Sequence, residues 1–184
     1  HTCQNVGDLD GDGIKDYLLT DSSWLNDPVS IFSGQAGDLI YSIDIYPQIN
    51  AFWSSPGAIG IDDVDGDGIP DLAIREYAWS HPQTVLCSGA TGVEIRRFND
   101  HGALANAGDV DRDGVGDILL GFMGAPKVIS GLTGATLLEW SDHGNFRNLG
   151  FSVANCGDLN GDSFDDFLLG AASTLGGSGD VVAC

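Results

Sequence analysis

The chain has 184 residues, of which 27 are acidic and 7 are Lys or Arg, for a net charge of −20. Its only lysines are Lys15 and Lys127, so it lacks the clustered cations that nucleic acid or an anionic membrane would demand. A hydrophobic content of 42% excludes a disordered acidic tail, and no apolar run approaches the ~18 residues of a membrane-spanning helix.

In chain order, the pattern repeats. A weak strand at the N-terminus leads into DLDGDGIKD (8–16), followed by the apolar run YLLT, the hairpin VSIFSGQAG and the strand LIYSI. GAIGID then leads into DVDGDGIPD (63–71), with LAI, TVLCSGATG and VEIRRF after it. ALANAGD leads into DVDRDGVGD (109–117), ILLG, KVISGLTG and ATLLEW. FSVANCGD leads into DLNGDSFDD (158–166) and FLLG. The loop starts are 55, 46 and 49 residues apart. The runs are short, rich in Val, Ile, Leu and aromatics, and bounded by Gly-containing turns, which suits strands. No helical period persists for three turns. An all-β chain of four four-stranded units is therefore expected, at about 1–50, 51–99, 100–144 and 145–184, in a single domain over 1–184.

The acids are unevenly chosen. Only Glu76, Glu94 and Glu139 are glutamates, so 24 of the 27 are aspartates, and 15 of those stand at the candidate ligand positions of the four loops. The loop pattern D-x-[DN]-x-D-[GS]-x-x-D places oxygen side chains at positions 1, 3, 5 and 9. The candidate ligands are Asp8, Asp10, Asp12 and Asp16; Asp63, Asp65, Asp67 and Asp71; Asp109, Asp111, Asp113 and Asp117; and Asp158, Asn160, Asp162 and Asp166. Carboxylates converging on one point repel unless a hard cation sits among them, and an all-oxygen cage of about six to eight donors suits Ca²⁺. The short stem of Asp lets the backbone wrap closely. Position 7 (Ile14, Ile69, Val115 and Phe164) is expected to give a backbone carbonyl to the ion and to turn its apolar side chain into the core. Up to four structural Ca²⁺ ions follow.

Position 12 of an EF-hand carries a bidentate acid, whereas here it is Leu19, Ile74, Leu120 or Leu169. Dockerin-type loops fail on the same residue, and thrombospondin-type acidic repeats lack the apolar strands between loops. A lone copy of the loop could be a polar turn. Four copies in register argue for calcium.

The arrangement resembles the FG-GAP repeat of the integrin α-subunit β-propeller and related bacterial propellers. The segment LGFSVANCGDLNGDSFDDFLLGAAS (149–173) carries the resemblance best, and the loops extend it over essentially the whole chain. The resemblance implies one four-stranded blade per repeat, with the calcium loop joining the first two strands at one rim. It also implies that the four oxygen side chains of each loop are ligands. The fourth loop departs from the pattern at Asn160 and Ser163 and is expected to be the weakest site. Arg112 is expected to point outward and weaken the third slightly.

Propellers of this family usually have seven blades. From Asp158 to the last residue is 26 residues, and wrapping round to Asp8 adds 8, giving 34, short of the spacing between the other loops. The last blade is therefore expected to be incomplete, with the domain part of a larger propeller or completed by a neighbouring chain. An open blade edge invites strand addition.

No GxSxG, HExxH or phosphate-binding glycine loop is present. The repeated DHG at His101 and His143 reads as a polar turn or an acid–base pair, and Trp24 and Trp79 as blade packing or sugar-stacking groups. The expected function is a non-catalytic, extracellular or cell-surface calcium-binding module for adhesion or assembly, with a protein or glycan ligand. A surface-layer or filament protomer that self-associates, and a calcium-dependent polysaccharide-active enzyme, are the alternatives. Cys3, Cys87, Cys156 and Cys184 could form two disulfides or remain buried thiols. An extracellular setting favours pairing, with a Cys3–Cys184 bond or a bond to a neighbour sealing the edge.

Overall fold

A computed structural model of the chain describes residues 2–20, 28–44, 57–78, 81–122, 124–141, 148–171 and 180–183. Among them every regular element is a strand. The first sheet is a meander of β1 (Thr2–Gly7), β2 (Asp16–Thr20), β3 (Val29–Phe32) and β4 (Leu39–Ile43). The second runs β5 (Ala58–Ile61), β6 (Asp71–Ala78), β7 (His81–Cys87) and β8 (Glu94–Phe98). The third runs β9 (Ala103–Gly108), β10 (Asp117–Gly121), β11 (Lys127–Ile129) and β12 (Thr136–Glu139). The fourth has three strands among the described residues, β13 (Leu149–Asn155), β14 (Phe167–Ala171) and β15 (Asp180–Ala183). All neighbouring strands pair antiparallel.

The acidic loop joins the first and second strands of each sheet. In the first and third sheets the ladder shifts register just before the loop, so that Gly7 faces Asp16 and Gly108 faces Asp117. This bulge bends the first strand into the loop. Position 12, the residue that excludes an EF-hand, lies inside the second strand, where Ile74, Leu120 and Leu169 are fully buried.

The described residues fall into two compact units, the first up to His101 and the second from Gly102 onward. In the first, alternate residues of two sheets interlock: Leu18 and Ile31 pack with Leu72, Ile74, Val85 and Cys87. In the second, Leu119 and Val128 pack against Leu149, Phe167 and Leu169, and Trp140 meets Phe167 edge-on with ring centroids 6.0 Å apart. A buried aliphatic side chain of this kind stabilises the fold by about 1.5–3 kcal/mol. Within each unit the two sheets thus hold together through burial that follows the period-two pattern of the sequence.

Candidate metal centres

Each loop is organised first by its own carboxylates. The Asp8 side chain accepts the amides of Gly11 (2.8 Å), Asp12 (3.1 Å) and Gly13 (2.8 Å). Asp63 accepts those of Gly66 and Gly68, Asp109 those of Asp113 and Gly114, and Asp158 those of Gly161, Asp162 and Ser163. The side chains at positions 3 and 5 each take the amide two residues on. Asp10 accepts from Asp12 and Asp12 from Ile14, and the same pair recurs at Asp65 and Asp67, Asp111 and Asp113, and Asn160 and Asp162. These short-range bonds are open to Asp and Asn and not to longer acids, which accounts for the near-absence of Glu.

The backbone that makes this possible has positive φ at positions 4 and 6. Glycine meets that requirement at Gly11, Gly13, Gly66, Gly68, Gly114 and Gly161, but Arg112 (φ 61°) and Ser163 (φ 71°) adopt it with a side chain.

Position 9 has a different role. Asp16, Asp71 and Asp117 are fully buried. One oxygen of each accepts the amide of loop position 2, from Leu9, Val64 and Val110, each at 2.7 Å. The other accepts the amide of a distant glycine in the third-to-fourth-strand turn, from Gly34 (2.9 Å), Gly89 (2.8 Å) and Gly131 (3.1 Å). The acid therefore clamps loop to hairpin. In the fourth loop Asp166 keeps the first of these bonds, from Leu159 at 2.7 Å.

The structure brings together the carboxylates of positions 1, 3 and 9. Asp8, Asp10 and Asp16 offer oxygens within 4.8 Å of one another, as do Asp63, Asp65 and Asp71, and Asp109, Asp111 and Asp117. One ion at about 2.3–2.6 Å from each oxygen spans such a set. Burial lifts the Asp71 and Asp117 carboxyls above the ordinary carboxylate range; amide donors pull them back and neighbouring loop aspartates push them up further. A buried carboxylate beside two others is costly without a cation. The donor set, all oxygen and part buried, fits a hard divalent ion. In the fourth loop Asn160 replaces one carboxylate, and its amide donates to Asp162 at 3.1 Å and to Asp166 at 3.4 Å. Asp12, Asp67 and Asp113 stand outside the three-carboxylate sets, each with one oxygen on the amide of position 7.

Two expectations need correction. Position 7 does not turn uniformly inward: Ile14 is 43% and Phe164 41% exposed, and Val115 is half-buried. Ile14 and Val115 instead lie over the hairpin glycine, 3.3 and 3.5 Å from where a Cβ on Gly34 or Gly131 would stand. Of the four, Ile69 packs against the buried core of its unit. In the first two loops the plug is position 2, with Leu9 and Val64 buried at 6% and 8% exposure, whereas Val110 is half-buried and Leu159 is exposed. An apolar residue at position 2 of every copy was the available signal. The disulfides are the second correction, since Cys3, Cys87 and Cys156 are free thiols. Cys87 is sealed in the core of its unit and Cys3 is exposed, so neither has a described cysteine in reach. Cys184, Trp24, Trp79 and His143 lie outside the described residues. His101 is half-buried, with its pKa lowered by burial and by the nearby Arg75 charge, against an opposing pull from Asp100.

The chain is thus an all-β protein built from β-propeller-type blades. No protein-family model matches it, and no curated protein sequence does. Among solved structures, it is similar to BBS1N, crystallised in complex with ARL6DN and soaked with lead, at 13% identity and a TM-score of 0.53, covering 92% of this chain and 50% of that one. It is also similar to the V. cholerae biofilm matrix protein Bap1, at 16% identity and a TM-score of 0.50, covering 98% of this chain and 36% of that one. These likenesses to propeller proteins concern the fold, and this chain spans half or less of either.

Proposed function

We propose that the chain is a non-catalytic, calcium-loaded propeller module of the FG-GAP type, acting outside cells or at their surface in adhesion or assembly through a protein or glycan ligand. The observation that carries this reading is the recurrence of one geometry: three carboxylates within 4.8 Å, one of them buried, at the same strand junction of three blades. Millimolar extracellular calcium would fill such sites, and Mg²⁺, which holds its waters and wants a tighter octahedron, suits the loops less well. The same carboxylates already accept loop amides and would bind the ion, which makes them poor general bases. BBS1N is solved with a protein partner and Bap1 is a matrix protein, which supports a role in association. Calorimetric titration with Ca²⁺ tests the reading: it should show three comparable sites and a weaker fourth, with Mg²⁺ competing poorly. Absence of binding at millimolar Ca²⁺ would overturn it.

A layer or filament protomer is the second reading. It draws on β15, which pairs with β14 alone among the described strands and presents Val181 at 68% exposure. Electron micrographs of the purified protein separate the two readings, since dispersed particles at high concentration would count against the filament.

A further inference from the structure

The third and fourth loops touch each other in a way that the first and second do not. Arg112, at position 4 of the third loop, places its guanidinium carbon 4.0 Å from the ring centroid of Phe164, at position 7 of the fourth. A second contact lies close by. Asp165 accepts a 2.7 Å bond from the Asn155 side chain, and its Oδ2 would lie 2.9 Å from a Cβ placed on Gly108, the residue before the third loop's first ligand. The first and second loops share a counterpart of this second contact, Pro70 against Gly7. They have none of the first, because position 4 there is Gly11, with nothing within 4 Å of where its Cβ would stand.

Arg112 also occupies positive φ, which glycine alone adopts without strain, while position 4 of the other loops is Gly11, Gly66 or Gly161. The strained arginine is offset by the stacking it makes. Its neighbours in sequence are Asp111 and Asp113, yet its charge is seated over a ring of the next loop. Phe164 in turn follows Asp162 by two residues and donates its amide to that carboxylate at 2.9 Å. An ion that orders either loop therefore orders one half of the contact.

We propose that Arg112 and Phe164 form a clasp that makes the third and fourth loops take up calcium as a coupled pair, whereas the first and second loops fill independently. The proposal rests on the metal reading of the loops. The loop that binds first bears the ordering cost of the clasp, so the second binds more tightly without any change of shape. An exposed cation–π contact limits the coupling to about two- to five-fold in affinity, which corresponds to ~0.5–1 kcal/mol at 25 °C.

The test is a calcium titration of the whole chain by nuclear magnetic resonance, following two amides. Gly114 reports the third loop through its bond to Asp109, and Ser163 the fourth through its bond to Asp158. Asp162→Asn weakens the fourth site while keeping an oxygen for the Phe164 amide. In the otherwise unaltered chain this substitution should weaken calcium binding at Gly114 about two- to five-fold. In an Arg112→Gly background it should leave the Gly114 titration unchanged. That background is well suited to folding, because glycine is the residue of the other three loops. Phe164→Leu should uncouple the loops in the same way while retaining the Arg112 charge, which separates the clasp from a simple effect of charge. The same response to Asp162→Asn in all three backgrounds would overturn the clasp. If neither amide moved at millimolar calcium, the metal reading would fall and the clasp with it.

Discussion

The amide of Gly34 donates to Asp16 Oδ1 at 2.9 Å across 18 residues of chain, tying the β3–β4 turn to the last position of the first acidic loop. Gly89 with Asp71 and Gly131 with Asp117 repeat the bond. A Cβ on these glycines would stand 2.0, 1.7 and 2.1 Å from the backbone oxygens of Lys15, Pro70 and Gly116. Loop and hairpin are thus pressed together, backbone on backbone, beside the candidate ion. The blade closes on itself where the metal would bind.

Gly89→Ala should therefore be among the more damaging small substitutions in the chain. A carbonyl at 1.7 Å cannot step aside as a flexible side chain could, so the hairpin must move and the bond to Asp71 must stretch. Overpacking of this kind costs about 1–3 kcal/mol or more. At about 2–4 °C per kcal/mol for a chain of this size, the melting temperature should drop by several degrees or more. Gly11→Ala has open space around it and should cost only its backbone strain. Thermal melts of the two variants side by side check the ranking, and an equal loss in both would show that the close approach is not what matters.

Much of this was legible in the sequence because the repeat aligns itself. Four loops in register marked the strand junctions, and the apolar residues at Ile74, Leu120 and Leu169 placed the second strands. The choice of Asp over Glu pointed to tight local turns, which the bonds from Asp12, Ile14 and their equivalents explain. What stayed hidden depends on long-range contacts. Nothing local says that Asp16 reaches Gly34, or that Ser-Gly after the third strand of the first three sheets is there for that contact rather than for the turn alone. Position 7 misled because an apolar residue reads as core, whereas Ile14 covers the hairpin at the rim. The cysteines misled for a related reason. An even number suggests pairing, but one of them, Cys87, serves as a small core hydrophobe.

The thiols differ enough to be told apart chemically. Burial, with Glu94 adding to it, pushes the Cys87 thiol up to about 12, whereas Cys3 is exposed. At pH 8 the Cys87 thiolate fraction is on the order of one in ten thousand, and the thiolate is the reactive form. A native alkylation time course read by mass spectrometry should label Cys3 early and Cys87 only after unfolding. Early labelling of Cys87 would mean that the core of its unit opens readily.

Acid should act through His101. Its pKa is depressed by burial and by the Arg75 charge, with Asp100 opposing. A depressed histidine contributes stability that is present above its unfolded value of about 6.5 and is lost as pH falls through the folded one. Melting temperature should therefore fall on acidification from pH 7.5 to 5 by more in the native chain than in His101→Gln. Parallel pH profiles of the two would refute this assignment.

The widest-reaching prediction concerns removal of the metal. With four ions bound, eight positive charges would bring the formal charge from −20 to −12. Without them, three sets of carboxylates face one another within 4.8 Å, each with a buried member. A site at a thousandfold excess of ligand over its dissociation constant contributes about 4 kcal/mol, so emptying even one should lower the melting temperature by about 8–16 °C. Chelation should also open cleavage by protease at 8–16, 63–71 and 109–117, because the loop is held to its hairpin through the same Asp16, Asp71 and Asp117 that would hold the ion. Asp67→Ala should act like partial chelation by removing charge and a turn acceptor, whereas Asp71→Ala should destabilise the protein even in chelator, because the Gly89 and Val64 amides lose their acceptor. Asn160→Ala should matter least. The check is a set of melts with and without chelator. An Asp71→Ala variant as stable as the native chain under chelation would refute the clamp, and melting unmoved by exhaustive chelation would refute a structural role for the metal.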